Sequence, residues 1–259
     1  MILQVLDDIF DAYGSYEILN ILVEAIDRWD YNYVAQLPEY FNSCYLSLLE
    51  TMDEVEQELA KEGRTYGVHH FKKQLNRGCQ AWLKEAEWRN QKYTPTYNEY
   101  MEVAIISVGH ILGILALFLG MGPNATKEGF EFVCQDPMPK LVEAAITIFR
   151  LMNDLASTKI EQTSRDHVVS SIQCYIKENG IIDEEQAHEF LEKQVENSWK
   201  DLNQAMLRPY VMPKPLLDRI RHVTRGTDIF YKGRTDGYTL VNQIIRDKIA
   251  SVLVHPIPP

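Results

Sequence analysis

Leu141-Val142-Glu143-Ala144-Ala145-Ile146-Thr147-Ile148-Phe149-Arg150-Leu151-Met152-Asn153-Asp154-Leu155-Ala156-Ser157-Thr158-Lys159-Ile160-Glu161 is mostly apolar as far as Met152 and turns polar at Asn153-Asp154. Such a stretch reads as a buried helix that ends in a polar set, as a helical bundle with an internal site requires. Asn153, Ser157 and Glu161 are spaced i, i+4, i+8. Each step drifts by only about 40° around a helix, so an amide, a hydroxyl and a carboxylate line one stripe. All three are oxygen donors suited to Mg²⁺. Arg150 lies about one turn earlier on the same side, where a guanidinium can hold a phosphate. An ordinary amphipathic face explains any one of these residues, but explains the set poorly.

A second oxygen-rich group stands near the start of the chain, at Leu6-Asp7-Asp8-Ile9-Phe10-Asp11. Asp7 and Asp11 are four apart and share a helix face, with Asp8 offset by about 100°. Like charges held that close raise a pKa or call for a cation. Their neighbours Ile2, Leu3, Val5, Leu6, Ile9 and Phe10 are apolar, so this is no solvated acidic run. It suits Mg²⁺ or Mn²⁺ at the lip of an apolar site. Alone, the spacing fits a polar helix face before it fits a ligand set.

Helical periods and caps recur along the rest of the chain. They place helices near 1–12, 16–28, 38–62, 68–90, 97–120, 126–134, 138–158, 166–179, 183–207, 213–231 and 241–254. Turn residues such as Gly14, Gly63, Pro95, Gly122-Pro123, Pro137, Gly180, Pro209 and Gly233 fall between them. With no β-alternating run, repeat or Pro/Gly/Ser linker, the expectation is one all-α domain over residues 1–259. The apolar run 103–121 is long enough to test as a membrane span. It carries Ser107 and His110 and is interrupted by Gly109, Gly113 and Gly120, so a buried central helix explains it better.

The formal charge of −11 argues against nucleic acid or an anionic membrane as a partner. It leaves room for an anionic substrate, because bound divalent metals invert the local field. Cys44, Cys79, Cys134 and Cys174 form no CxxC pair, so neither a disulfide framework nor a zinc site is expected. Asn124-Ala125-Thr126 is a formal glycosylation sequon, but no signal or transit peptide is read ahead of Asp7.

The two oxygen-rich groups together carry a resemblance. DDxxD at Asp7, Asp8 and Asp11, followed by (N/D)Dxx(S/T)xxxE at Asn153, Ser157 and Glu161, is similar to the plant class I terpene synthases. So are DDIFDAYGS from Asp7, AKEGR from Ala60, the stretch Thr96–Tyr100, SIQCY from Ser171, WKDLN from Trp199 and DGYT from Asp236. The resemblance implies an all-α class I terpenoid synthase helical bundle, incomplete at its N-terminal side. Family members carry a separate helical domain, several catalytic-domain helices and an RxR pair upstream of DDxxD. Exposed apolar surface is therefore expected.

The family also implies roles. Asp7, Asp8 and Asp11 would hold two of three Mg²⁺ ions, and Asn153, Ser157 and Glu161 the third. Arg150 would contact the diphosphate of a prenyl diphosphate substrate. Tyr231, Asp236 and Tyr238 match residues on and after the loop that covers the closed site. Ser107, Gly109 and His110 fall at the helix break that shapes the product cavity. The implied reaction ionises farnesyl diphosphate to a carbocation and converts it to a sesquiterpene with release of diphosphate. Two other readings stay beside it: a monoterpene synthase acting on geranyl diphosphate, and a metal-binding or helical interaction module without turnover. The expected protein is a cytosolic monomer that can associate through its apolar surface, or a plastid protein if a leader has been lost.

Other signatures fail. His188-Glu189-Phe190-Leu191-Glu192 begins like HExxH but has Glu192 where the second His belongs. His69-His70 reads as a helix-surface or satisfied pair, and no GxxxxGK[ST], GxGxxG or GxSxG is present. A chain-elongating prenyltransferase would carry a second DDxxD at the Asn153 position. One departure from the family follows Glu161: Arg165 falls one residue late and Asp166 replaces a glycine, so Arg165 is given no role.

Overall fold

The computed structural model describes residues 2–164, 169–181 and 183–254, and their side chains outside 158–164. Its α-helices are α1 (Ile2–Asp8), α2 (Tyr16–Arg28), α3 (Glu39–Ala60), α4 (Tyr66–Gln91), α5 (Tyr97–Ser107) and α6 (His110–Leu119), then α7 (Lys127–Val133), α8 (Lys140–Ser164), α9 (Ser171–Asn179), α10 (Glu184–Ala205), α11 (Lys214–Tyr231) and α12 (Gln243–Leu253). Among the described residues there is no strand.

Two long helices organise the bundle. α4 packs against α2, α5, α6 and α7, while α8 packs against α10, α11, α5, α6 and α9. The apolar α5–α6 pair is therefore sandwiched between α4 and α8. Leu75 and Cys79 from α4, Ile114, Leu115 and Phe118 from α6, and Val142, Ile146 and Ile148 from α8 are fully buried there. A helix flanked on two sides needs apolar residues on two faces, which is why this stretch has no polar stripe.

Local signals fix the ends. Leu19, Leu22, Ala25 and Ile26 of α2 are buried at helical spacing. α5 opens with a capping box: Thr96 Oγ1 accepts from Glu99 N, and Glu99 Oε2 accepts from Thr96 N at 2.8 Å. Gly180 closes α9 with φ +61.

The run 97–119 is long and apolar enough to cross a membrane by length and composition, but it is not one helix. Gly109 adopts φ +69 as the left-handed N-cap of α6, so the helix ends at Ser107 and restarts at His110. The break leaves carbonyls without helical partners, and Trp82 Nε1 of α4 donates to one of them, Ser107 O, at 2.6 Å. The 97–120 expectation is corrected accordingly. Three further corrections are smaller: α8 runs on to Ser164, α9 starts at Ser171, and a 3₁₀ turn not expected from sequence occupies Tyr31–Gln36. Along α12 and the segment before it, Leu240, Ile244, Val252 and Leu253 are exposed.

Candidate active site

α1 does not simply end. After Asp8 it widens into a π-helical turn, Ile9–Tyr13, closed by Gly14 N donating to Ile9 O at 2.8 Å. Such turns recur at functional sites because they re-aim side chains. Leu6, Ile9 and Phe10 go into the core, and Asp7, Asp8 and Asp11 turn the other way to line one cavity. The free carbonyls at this helix end are met by Arg89 of α4, which donates to Asp11 O at 2.5 Å and Phe10 O at 2.8 Å. A guanidinium there also opposes the negative end of the helix dipole.

The cavity has a volume of about 310 Å³. Arg150 and Asn153 of α8 line it together with the three aspartates. Ser107 and Val108, from the break between α5 and α6, form another part of the wall. The aromatic lining comes from Trp88, Tyr100, Phe149, Phe230, Tyr231 and Tyr238. Phe149 meets Tyr231 edge-on at 5.9 Å, and Phe230 meets Tyr238 edge-on at 6.0 Å. Tyr238 reaches over to α1, where its hydroxyl donates to Gln4 Oε1 at 2.7 Å.

The electrostatics are those of crowded acids. Burial pushes the Asp7 carboxyl up to about 8, helped by the charges of Asp11 and Glu85 and opposed by Arg150. Glu85 of α4 lines the same cavity. Burial raises it to about 7, while Arg150 and the Ser107 hydroxyl, which donates to its Oε1 at 2.7 Å, pull it down. Burial also raises the Tyr231 phenol to about 12 against a hydrogen bond from Asn153. Tyr238 is raised by burial and then by Asp7 and Asp8.

Behind the wall, fully buried Asp154 holds the α8 side in place. Its carboxylate accepts from the Tyr100 hydroxyl at 3.0 Å and from Ser171 N at 3.0 Å, and it pairs with Arg150. Arg150 also donates to Asn153 Oδ1. The Ser157 hydroxyl is buried and has no partner among the described residues. An orphaned hydroxyl one turn beyond Asn153, on a helix that borders so many carboxyl groups, fits a cation ligand. Among the described residues no three His, Cys, Asp or Glu side chains are gathered into a ready metal shell. That is compatible with Mg²⁺, which takes one or two carboxylates and fills its octahedron with water and substrate oxygens.

The structure thus brings Asp7, Asp8, Asp11, Arg150, Asn153, Ser107, Tyr231 and Tyr238 to one cavity. Gly109, His110 and Ser157 are not on its lining. His110 is buried behind Phe149, with ring centroids 4.8 Å apart, and its Nε2 lies 3.3 Å from Thr224 Oγ1. Burial lowers His110 to about 4, so it is a neutral prop. Asp236 is also off the lining: its Oδ1 accepts from Tyr238 N at 3.0 Å and Thr239 N at 2.9 Å, shaping the loop. The backbone of Glu161 lies on α8, but its side chain, like all of Arg165, is outside the described residues.

Glu85, Arg89 and Asp154 were missed as site residues from sequence. Asp154 had a signal, the polar turn after Met152. Glu85 and Arg89 had none, since Lys84-Glu85-Ala86-Glu87-Trp88-Arg89 looks like any charged helix face.

Residues 1–201 match the model of the terpene synthase family, metal binding domain. The chain is 44% identical over 253 residues to valencene synthase of Vitis vinifera, covering 98% of this chain and 45% of that protein. It is 43% identical over 251 residues to a sesquiterpene synthase of Santalum austrocaledonicum (97% and 44% covered). It is 42% identical over 254 residues to (-)-alpha-pinene synthase of Fragaria vesca (98% and 45%). It therefore spans a little under half the length of these relatives. A similar solved structure is isoprene synthase from grey poplar leaves, in complex with three Mg²⁺ ions and dimethylallyl-S-thiolodiphosphate. It aligns with a TM-score of 0.86 at 29% identity, over 100% of this chain and 48% of that one.

Proposed function

The chain belongs to the terpene synthase family, and from that membership we propose that it ionises a prenyl diphosphate, farnesyl diphosphate foremost, and turns the resulting cation into a sesquiterpene. The observation that carries this reading is the cavity itself: three aspartates, Arg150 and Asn153 line one chamber together with Trp88, Phe149, Phe230, Tyr231 and Tyr238. Similarity to valencene synthase and to a sesquiterpene synthase supports the fifteen-carbon substrate. Similarity to an alpha-pinene synthase makes geranyl diphosphate the alternative to test.

Asp7, Asp8 and Asp11 would hold Mg²⁺ on one side of the chamber, and Asn153, Ser157 and Glu161 on the other, with Mn²⁺ as a substitute. Bound there, a divalent metal would supply Lewis acidity to the oxygens of the departing diphosphate in place of a proton donor. The chain's own groups do the rest. Arg150, held by Asp154 and Asn153, presents a fixed positive charge toward the same leaving group. Phe149, Tyr231 and Trp88 line the chamber, where unreactive π-faces would stabilise a moving cation without trapping it. Neutral His110 backs Phe149 without adding a competing charge. The Tyr238–Gln4 bond ties the 232–239 loop to α1, and closure of that loop over substrate would keep water from quenching the cation.

The test is direct. Purified chain is incubated with Mg²⁺ and farnesyl, geranyl or geranylgeranyl diphosphate, and the extracts are resolved by gas chromatography–mass spectrometry. A sesquiterpene from farnesyl diphosphate that vanishes with EDTA and in Asp7→Ala is expected. No product from any of the three, with Asp7→Ala indistinguishable from wild type, sinks the reading.

A further inference from the structure

Arg234 sits in the loop 232–239, between Tyr231, the last residue of α11, and Tyr238-Thr239. Those flanking residues line the cavity, whereas Arg234 does not. Its guanidinium reaches to α10. Nη1 and Nη2 donate to the two carboxylate oxygens of Glu185 at 2.9 and 2.8 Å, and Nε donates to Glu192 at 2.8 Å. Nη1 is also 3.0 Å from Nδ1 of His188, a buried imidazole. Residues 185, 188 and 192 follow one another at i, i+3, i+7 and so share a face of α10. The planar fork of arginine suits this three-way grip, which a lysine cannot reproduce.

The backbone shows how firmly the grip is imposed. Arg234 has φ +58, directly after Gly233 at +73. An arginine in left-handed space is uncommon and persists where its surroundings over-determine it. The bonds also hold Glu185 charged, at about 2, far below its ordinary range. Exposed ion pairs add little to global stability, so the consequence belongs to the loop.

We infer that Arg234 is a positioning residue, whose bonds to Glu185, Glu192 and His188 fix the 232–239 loop so that Tyr231 and Tyr238 stay on the cavity wall. Inside the loop, Gly237 N donates to Phe230 O at 2.8 Å, Tyr238 N and Thr239 N donate to Asp236 Oδ1, and Leu240 N donates to Asp236 O at 3.1 Å. Those amides report its order.

Hydrogen exchange on the purified full chain tests this without any substrate. In Arg234→Ala the amides of 237–240 should exchange at least about tenfold faster, while those of α8 and α10 keep their rates. Glu185→Gln with Glu192→Gln should do the same, and also serves if Arg234→Ala does not fold. Arg234→Lys should fall between. Unchanged protection at 237–240, or loosening of α8 and α10 to the same degree, overturns the inference. A second arm rests on the proposed function: with farnesyl diphosphate and Mg²⁺, Arg234→Ala should raise KM and the share of water-quenched alcohol more than it lowers kcat. A product ratio and KM equal to wild type count against the role. A wild-type chain without turnover counts against the proposed function alone, and the exchange arm then decides.

Discussion

Asp7 is a carboxyl that the fold keeps protonated near neutrality, with its value raised from 3.8 to about 8. A folded value above the unfolded one means that the folded state binds more protons between the two. Stability therefore falls as pH rises from about 4 to about 8. An asparagine at this position cannot ionise and escapes that loss. In metal-free buffer Asp7→Asn should raise Tm at pH 8 by several degrees or more, and the gap should close toward pH 4. Differential scanning calorimetry at the two pH values reads it, and a variant melting below wild type at pH 8 contradicts the assignment. Asp154 has a structural part instead. It is buried with its oxygens met by Tyr100, Ser171 and Arg150, so removing it strands groups that were chosen for it. Asp154→Ala should cost about 3 kcal/mol by urea denaturation. A loss under 1 kcal/mol, about the value of an exposed pair, would show that the network is not structural.

At the scale of elements, the break at Gly109 decides where Ser107 and Val108 point. A Cβ at this position would meet nothing closer than Ser107 O at 4.0 Å, so space is not the constraint. The left-handed backbone is the constraint. Gly109→Ala should lower stability by about 1–2 kcal/mol, seen as a lower urea midpoint at unchanged slope. A neutral result would mean that the break is held by the Trp82 and Glu85 bonds alone. This break also marks the limit of what periodicity reveals. α2 is legible to the residue because one buried stripe and polar flanks bound it. The 97–119 stretch is apolar on all sides, so it offers no face whose phase could shift at 108–109. The π-helical turn at Ile9–Tyr13 is silent for a similar reason: an i→i+5 bond changes backbone pitch without a composition of its own. The three aspartates and Asn153, which the structure brings to one cavity, were legible because the spacing of each motif is local. Glu85, Arg89 and Arg234 were not, because each acquires its role from a partner far away in sequence.

Taken whole, the molecule carries a charge of −11 and turns Asp7, Asp8, Asp11 and Glu85 toward its cavity. Against these stands Arg150, already engaged with Asp154 and Asn153. Arg89 lies on the lining as well, but its guanidinium is spent on the carbonyls of Phe10 and Asp11. Such a surface repels a polyanion, and two committed arginines cannot offset the ionised carboxylates and the field of the whole chain. A bound divalent cation changes the sign locally and lets carboxylates and phosphate oxygens share one shell. Inorganic diphosphate should therefore bind by isothermal titration calorimetry in millimolar Mg²⁺ and give no heat in EDTA. At a hundredfold excess over Kd the linked stabilisation is about 2.7 kcal/mol, enough to raise Tm by several degrees only when both metal and diphosphate are present. Asp11→Ala should lose this rise, because it removes a metal-side oxygen. Arg150→Met should weaken the diphosphate contribution while leaving the response to Mg²⁺ alone intact, because it acts on the anion. Equal binding of diphosphate in EDTA and in Mg²⁺ would place the anion on protein cations instead, and would remove the electrostatic reason for the aspartate wall.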